Sequence, residues 1–326
     1  MSNVEADPAE VRCAAQADEV RGAAAPRVEV LAPRKVPLGG PRAMTVRRTL
    51  PQRNRSLIGA WCFADHYGPD DVAATGGMDV APHPHTGLQT VSWLFSGEIE
   101  HRDSLGSHAF VRPGELNLMT GGHGIAHSEV STPRTTVLHG VQLWVALPEE
   151  HRGTDRDFQH HVPEPVRLPG AELRVFLGSL AGARSPVRTF TPLLGAEVLL
   201  APHASLTLGL DAAFEHGLLL DTGSVRVAGT ALAPAELGYV HPGADSLTLT
   251  NTSAETARAI LLGGAPFEEE IVMWWNFVGR SHEDIVTARA DWMTGTRFGE
   301  VHGYDGDRLP APELPSVALR PRRRRG

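Results

Sequence analysis

Short apolar stretches separated by turn residues recur along most of the chain, and this pattern predicts β-strands. In the first half such stretches lie at Val28–Leu31, Met44–Leu50, 88–95, 116–119 and 137–145. In the second half eight more follow, at 173–178, 196–200, 205–210, 216–220, 224–227, 236–240, 246–250 and 257–262. Several alternate strictly between apolar and polar residues, as a strand with one buried face does. We therefore predict an all-β protein.

One segment near the C-terminus predicts a helix instead. Ser281 and Asp284 have the spacing of a capping box, with aspartate in place of the usual glutamate or glutamine. The helix is expected to reach residue 293, with one packed face consisting of Ile285, Ala288 and Trp292. Elsewhere the 34 glycines and 25 prolines favour many turns and few helices.

A change of composition at 148–170 divides the chain into two parts. This segment is rich in charged residues, histidine and proline, which is typical of a connection. With 326 residues the chain is long enough for two domains, and we predict one at 28–147 and another at 171–295. Residues 1–27 are expected to form a flexible extension. Residues 296–326 are expected to form a basic tail rich in proline and glycine, with its arginines in solvent.

The charge balance argues against nucleic acid and membranes as partners. The net charge is −8 although five arginines lie in the last seven residues, so the rest of the chain is more acidic still. No apolar run reaches the roughly 18 residues that a membrane-spanning helix needs, and the N-terminal stretch lacks the apolar core of a signal peptide. Two cysteines, Cys13 and Cys62, are too few for a disulfide framework, and we expect Cys13 to be solvated. A cytoplasmic protein is expected.

Two pairs of possible metal ligands lie in the first half of the chain. His83 and His85 are flanked by prolines, and His127 and Glu129 follow a glycine-rich turn. Residues i and i+2 of a strand point to the same face, so the members of each pair project together. If the two strands pack side by side, three imidazoles and one carboxylate converge. Such a set suits a divalent transition metal that keeps open positions for other molecules.

Other histidines and carboxylates compete with this set. His101 and Asp103 form another pair at i and i+2, so they are an alternative metal site. Asp65 and His66 could support the ligands, but we favour a role in stabilising a turn. We favour a structural role for His139 as well. The second half contains no such pair, so its barrel should bind no metal.

These residues belong to longer motifs. Gly77, His83 and His85 fit G-x5-H-x-H, the first motif of the cupin superfamily. The string H-P-H-x-G-x-x-T-V is followed by E-H-x-D-S-x-G, P-G and M-T-x-G-x-G-I-x-H-x-E, and together they resemble the pirin family, with similarity over residues 45–292. The resemblance implies two tandem cupin β-barrels with a short C-terminal helix. It also implies a single metal in the first barrel, held by His83, His85, His127 and Glu129.

The resemblance implies two kinds of function. The pirin family is associated with quercetin 2,3-dioxygenase activity, in which dioxygen opens a flavonol ring and carbon monoxide is released. It is equally associated with non-enzymatic, metal-dependent binding to transcription regulators or metabolic enzymes. We expect a monomer with iron(II) and a flavonol-like aromatic substrate, or a redox-sensing protein with a protein partner. Nickel, copper, manganese, cobalt and zinc also suit these ligands. Glu129 would be a ligand or a base on the substrate hydroxyl.

Several further side chains are candidates for the pocket. If the alternation of the first pair continues through Gly87, then Gln89, Val91, Trp93 and Phe95 face the ligands; otherwise Trp93 and Phe95 are barrel core. His101 and Met119 are expected to line the pocket or to contact the ligands, because the family pattern keeps His101 and Asp103 as non-ligands.

Two positions depart from the family pattern. Gln89 stands where many cupins have a ligating glutamate, which leaves Glu129 as the only carboxylate of the set. His123 lies between two glycines, where it could perturb the entrance or act as a rival ligand.

Overall fold

The computed structural model describes residues 11–13, 26–38 and 44–321, and these residues form mostly β-structure. The strands, in chain order, are β1 (Val11–Cys13), β2 (Val28–Leu31), β3 (Arg34–Leu38), β4 (Met44–Leu50), β5 (Trp61–Asp71), β6 (Asp79–His85), β7 (Leu88–Ser96), β8 (Ile99–Asp103), β9 (His108–Val111), β10 (Leu116–Thr120), β11 (Ile125–Ser131), β12 (Val137–Ala146), β13 (Asp157–His161), β14 (Val166–Leu168), β15 (Ala171–Leu177), β16 (Ser179–Leu180), β17 (Ala183–Arg184), β18 (Leu193–Leu200), β19 (Ser205–Gly209), β20 (Glu215–Thr222), β21 (Val225–Val227), β22 (Thr230–Leu232), β23 (Leu237–Val240), β24 (Ser246–Asn251), β25 (Ala257–Gly264), β26 (Ile271–Trp274) and β27 (Phe277–Gly279). The helices are α1 (Val72–Thr75) and α2 (His282–Thr294). The predicted all-β class with a short C-terminal helix is confirmed; the single turn α1 was not anticipated.

Two sheets form the first barrel. The larger has seven strands in the order β13-β10-β7-β12-β5-β4-β3, and the smaller has four in the order β6-β11-β8-β9. The strand that carries the first histidine pair, β6, therefore lies at one edge of the smaller sheet. The strands β6 and β11 carry the two pairs of candidate ligands, and both belong to this sheet.

The second barrel repeats this plan. Its sheets have the orders β14-β15-β18-β25-β20-β23-β2 and β19-β24-β21-β22. Strict alternation appears in β19, where Leu206 and Leu208 are buried and the residues between and beside them are exposed. The two tandem barrels that the family resemblance implied are thus present in the fold.

Two strands, β2 and β13, belong to barrels that their positions in the sequence do not predict. Val28–Leu31 pairs with Leu237–Val240 of the second barrel, although it precedes the first. Asp157–His161, inside the predicted connection, pairs with Leu116–Thr120 of the first barrel. Each strand covers an edge that would otherwise expose unpaired backbone groups. The second barrel therefore includes a strand from the predicted first domain, and the first barrel includes a strand from the predicted connection.

A continuous apolar core joins the two barrels. Trp93 of the first barrel packs on Phe176 of the second, with ring centroids 4.7 Å apart. The indole of Trp61 donates to the carbonyls of Leu194 and Gly263, at 3.2 and 3.1 Å. Each fully buried large apolar side chain contributes about 1.5–3 kcal/mol, so this interface holds the two barrels firmly together.

The C-terminal helix forms as its sequence predicts. Ser281 accepts from the backbone N–H of Asp284, and the Asp284 carboxylate accepts from the backbone N–H of Ser281, which completes a capping box. The buried face consists of Ile285, Ala288 and Trp292. Gly295 ends the helix in the left-handed conformation, with φ 77°.

The segment after this helix packs against the helix and against the first barrel as far as Leu319. Trp292 donates through Nε1 to the carbonyl of Leu309 at 2.8 Å, and the Tyr304 hydroxyl donates to Asp79 at 2.9 Å. Leu319 is buried. Part of the basic tail predicted at 296–326 is therefore packed, although Val317 is exposed. The arginines from 322 onward lie outside the described residues.

Only a small part of the predicted N-terminal extension is described. Val11–Cys13 forms a strand against Ile271–Met273, so this part of the extension has regular structure. The expectation of a solvated Cys13 thiol concerns a side chain outside the described residues, and Cys62 is buried. Neither described helix is long and apolar enough to cross a membrane.

Candidate metal centre

The two predicted ligand pairs lie on adjacent antiparallel strands. In the pairing of β6 with β11, His127 lies opposite His83 and Ile125 lies opposite His85, with an irregularity between His127 and Glu129. The three imidazole rings approach one another, with centroids 4.3 Å apart for His83 and His127 and 5.0 Å for His85 and His127. The alternation of side chains along a strand therefore brings the three imidazoles together.

The donor atoms form two overlapping groups rather than one cage. Candidate ligand atoms of His83, His85 and His127 all lie within 4.8 Å of one another, and a second such group contains His127, Glu129 and His101. The Nε2 atoms of His85 and His127 are 3.1 Å apart. Three imidazoles thus meet as the sequence predicts, whereas Glu129 joins them through His127 and His101.

Burial keeps these imidazoles in the state that metal binding requires. His83, His85, His127 and Glu129 are all almost fully buried, at 0–1% exposure. Burial lowers the pKa of His83 to about 4 and holds the pKa values of His85 and His127 well below the usual value. Only a neutral imidazole has the lone pair that binds a metal. Three neutral nitrogen donors beside a carboxylate fit a divalent transition metal.

Backbone carbonyls lie beside the rings of His83 and His85. His83 donates from Nδ1 to the carbonyl of Ala81 at 2.8 Å. The nearby backbone carbonyl of Asn276 opposes, in part, the lowering of the His85 pKa by burial. Such outer contacts set which nitrogen faces a metal.

The third ring is oriented by His101 and Asp103. The Nδ1 atoms of His127 and His101 are 3.3 Å apart, and His101 Nε2 lies 3.2 Å from Asp103 Oδ2. Burial would raise the pKa of Asp103, but hydrogen bonds from His101 and Ser107 lower it below its usual value. His101 and Asp103, the alternative pair predicted from spacing, therefore lie next to His127. This agrees with the family pattern, in which His101 is a neighbour of the ligands rather than a ligand.

Several wall residues were not recognised in the sequence. The Ser92 hydroxyl lies 3.3 Å from Glu129 Oε1 and 3.0 Å from Gln142 Oε1. Trp144 meets the His85 ring edge to face, with centroids 5.2 Å apart. Phe158 stacks on His101 at 4.8 Å. The correct alternation along β7 would have predicted that Ser92 faces the candidate ligands. Phe158 could not be predicted in this way, because it lies on a strand within the predicted connection.

Met119, which is expected to line the pocket or to contact the ligands, lies on a strand that pairs with the strand carrying Phe158. It is almost fully buried on β10 and pairs with Phe158 of β13, beside His101. This strand order, with β13 next to β10, explains why an apolar wall forms here.

Gln89, Trp93 and Phe95 do not form a wall beside the candidate ligands, and the alternative prediction that Trp93 and Phe95 belong to the core agrees with the structure. Trp93 packs on the second barrel, Phe95 meets His139 at 5.0 Å, and Gln89 donates to Thr120 Oγ1 at 2.9 Å. The alternation does not continue from β6 because Gly87 takes a left-handed conformation, with φ 68°. Even-numbered residues of β7, such as Ser92, face the ligands instead.

His123 does not join the candidate ligands. Its Nδ1 lies 3.1 Å from the carbonyl of Thr154, and its ring also approaches Arg156 at 3.5 Å. Neither group of candidate ligand atoms that contains His127 includes His123, so the structure does not support a ligand role for His123.

A further buried group of donors lies between the barrels. His66 and His139 each approach Asp221 Oδ1 at 2.7 Å. Arg258 lies 3.0 Å from the other Asp221 oxygen, and Arg47 lies 3.3 Å from His66 Nε2. Two guanidinium groups at this distance repel a cation, so the group is better described as a hydrogen-bonded support for Asp221.

This arrangement also settles two smaller predictions. Asp65 is paired with Arg48 through two contacts of 2.6 and 2.8 Å, so it does not act together with His66. His66 is buried in the barrel interface rather than in a turn. The structural role expected for His139 agrees with its contact to Asp221.

Comparisons with known proteins agree with the two-barrel organisation. Residues 43–145 match the model of the family described as Pirin, and residues 195–299 match the Pirin C-terminal cupin domain. A Pseudomonas aeruginosa protein named "Putative quercetin 2,3-dioxygenase PA1205" is 46% identical over 284 residues, covering 86% of this chain and 89% of that protein. A pirin-like protein of Caulobacter vibrioides is 37% identical over 281 residues, covering 82% and 94%.

A solved structure matches nearly the whole chain. The crystal structure of a quercetin 2,3-dioxygenase from Acinetobacter baumannii superposes with a TM-score of 0.84 at 38% sequence identity. The match covers 90% of this chain and 98% of that one. Both barrels therefore have counterparts in a single known protein.

Proposed function

The chain belongs to the pirin family of two-barrel cupins, and we propose that it is a metal-dependent dioxygenase of the quercetin 2,3-dioxygenase type. The observation that carries this proposal is the meeting of three buried imidazoles with a neighbouring carboxylate. Two of the similar proteins carry the name of this activity. The proposed substrate is a flavonol-like aromatic molecule, and the proposed setting is a cytoplasmic monomer.

We propose His83, His85, His127 and Glu129 as the ligands of one divalent transition metal, with iron(II) first and nickel, copper, manganese, cobalt or zinc as alternatives. When bound, such an ion brings an ionised flavonol and dioxygen together in one place. The reaction adds both oxygen atoms to the ring that opens and releases one ring carbon as carbon monoxide. Iron is preferred because of the family resemblance, and supply in the cell contributes as much as affinity.

The protein groups around the ligands have defined tasks in this proposal. Glu129 takes the proton of the flavonol hydroxyl, and Ser92 holds one oxygen of that carboxylate. His101 and Asp103 keep His127 in one orientation. The buried ring of Trp144 excludes water beside His85.

Oxygen consumption tests this proposal directly. The protein is prepared with each of the six metals, and oxygen uptake and carbon monoxide release are measured with quercetin. We expect at least one metal to support turnover, and His83→Ala to abolish it. The matched control is His151→Ala, at a partly exposed surface position, which should retain wild-type turnover. Equal rates in wild type and His83→Ala for every metal would refute the proposal.

The complete burial of the candidate ligands favours a second function. Ligands with 0–1% exposure suit an ion that alters the protein surface indirectly, as a redox sensor would. In that case a protein partner should bind differently to the iron(II) and iron(III) forms. Capture experiments with each form test this, and identical binding with and without a chelator would exclude it.

A further inference from the structure

The outer edge of β6 needs hydrogen-bond donors from elsewhere in the chain. This strand lies at the edge of its sheet and pairs with β11 on its inner side only. Pro82 and Pro84 alternate with the two histidines, so their backbone groups point outward. Proline has no N–H. The outer edge beside His83 and His85 therefore presents carbonyl oxygens.

Two backbone donors from the C-terminal part of the chain meet this edge. The N–H of Leu309 donates to the carbonyl of Pro82 at 2.8 Å, and the N–H of Val278 donates to the carbonyl of Thr86 at 3.0 Å. The two accepting residues stand immediately outside the pair formed by His83 and His85. The ligand segment is thus held at both ends.

The hairpin that contains Val278 also reaches a ligand ring. Its tip is formed by Trp275 and Asn276, and the backbone carbonyl of Asn276 lies beside the His85 ring. Trp275 has φ 51°, a conformation that costs about 1–3 kcal/mol for a residue other than glycine. Asn276 is fully buried, and neither amide atom has a hydrogen-bond partner among the described residues.

The second donor is held just as firmly. Trp292 donates to the Leu309 carbonyl, and Tyr304 of the same segment donates to Asp79 at the start of β6. The N–H of Leu309 therefore has a fixed position relative to the ligand strand.

We propose that the Trp275–Asn276 hairpin tip and Leu309 are a positioning element for the metal centre of the first barrel. The N–H groups of Val278 and Leu309 hold the strand that carries His83 and His85, and the hairpin tip places the Asn276 carbonyl beside the His85 ring. The first barrel alone would therefore lack part of its metal centre. This inference rests on the proposed metal site and extends it to the β26–β27 hairpin, which belongs to neither barrel sheet, and to the C-terminal segment.

A matched pair of variants isolates the backbone donor. Leu309→Pro removes the N–H, whereas Leu309→Ala removes most of the side chain and keeps the N–H. Each full-length protein is loaded with cobalt(II), and its visible spectrum and its rate of metal loss to a chelator are recorded. Loss of an orienting outer contact typically weakens metal binding by about 10–100-fold. We expect Leu309→Pro to release cobalt about tenfold faster than Leu309→Ala and to alter the spectrum.

A second pair guards against a variant that fails to fold. Val278→Pro and Val278→Ala test the other donor in the same way, because the Val278 N–H faces β6. Circular dichroism identifies the pair that folds.

Hydrogen exchange of the metal-free proteins separates this inference from the proposed function. We expect peptides that cover 79–86 to exchange faster in the proline variants than in the alanine variants. This measurement needs neither turnover nor bound metal. If the wild type binds no metal, the proposed function fails while the exchange result still decides whether the donors hold the strand. Equal exchange, or equal cobalt release and spectra, within both pairs would overturn the inference.

Discussion

Replacing His101 by alanine should weaken metal binding although His101 is not a proposed ligand. His101 is almost fully buried, and its Nδ1 lies 3.3 Å from Nδ1 of His127. Its other nitrogen is 3.2 Å from Asp103. Without this ring, His127 loses the contact that sets which of its nitrogens faces the other imidazoles. The change acts through one ligand and leaves all proposed ligands in place.

The expected loss follows from the outer-contact role. Removing such a partner typically costs about 10–100-fold in metal affinity, which corresponds to about 1.4–2.7 kcal/mol at 25 °C. Loss of a ligand itself should cost more, so His101→Ala should lie between wild type and His127→Ala. His108→Ala, at an exposed position of the neighbouring strand, is the matched control and should bind metal as wild type does.

A double-variant cycle makes this prediction sharp. Metal affinity is measured by competition with a chelator for His101→Ala, Asp103→Asn and the double variant. Because Asp103 is expected to act through His101, the double variant should bind no more weakly than His101→Ala alone. Wild-type affinity in His101→Ala, or fully additive losses, would refute the reasoning.

Three further predictions concern stability. Trp144→Ala removes a fully buried ring that stacks on Phe63 at 4.1 Å, and it should cost about 3–5 kcal/mol in chemical unfolding; a loss below about 1 kcal/mol would contradict the described packing. Burial lowers the pKa of His216 to about 4, whereas the unfolded residue titrates near about 6.5. As the pH falls, the unfolded chain therefore takes up this proton before the folded protein does. The free energy of unfolding should decrease as the pH drops from about 6.5 to 4, and chemical unfolding should show a smaller decrease in His216→Leu over the same range. Gly87→Ala should lower the melting temperature, because φ is 68° and the new Cβ would overlap the Val278 carbonyl; an unchanged melting temperature would show that the turn adapts.

The two pairs of candidate ligands could be predicted from their local spacing, because the direction of side chains along a strand depends only on strand geometry. His83 with His85, and His127 with Glu129, are each two residues apart, and this period is independent of the rest of the fold. The capping box at Ser281 is local in the same sense. These features could be read from the sequence with no knowledge of distant contacts.

Features that depend on distant contacts could not be predicted in this way. The wall residues on β7 were assigned to the wrong face because one left-handed glycine, Gly87, changed the alternation. Asp221 reaches His66 across 155 residues of chain, and no spacing rule foresees such a contact. The pairing of Val28–Leu31 with the second barrel depends on which sheet edge is open once both barrels have formed.

The metal content of the purified protein tests the central claim most directly. Wild type and a His83→Ala/His127→Ala double variant are purified side by side, and the metal in each is counted per chain by elemental analysis. We predict about one transition-metal ion per wild-type chain and almost none in the double variant, with both proteins folded. Equal metal content in the two proteins, or none in the wild type after loading, would contradict the proposal that these imidazoles bind an ion.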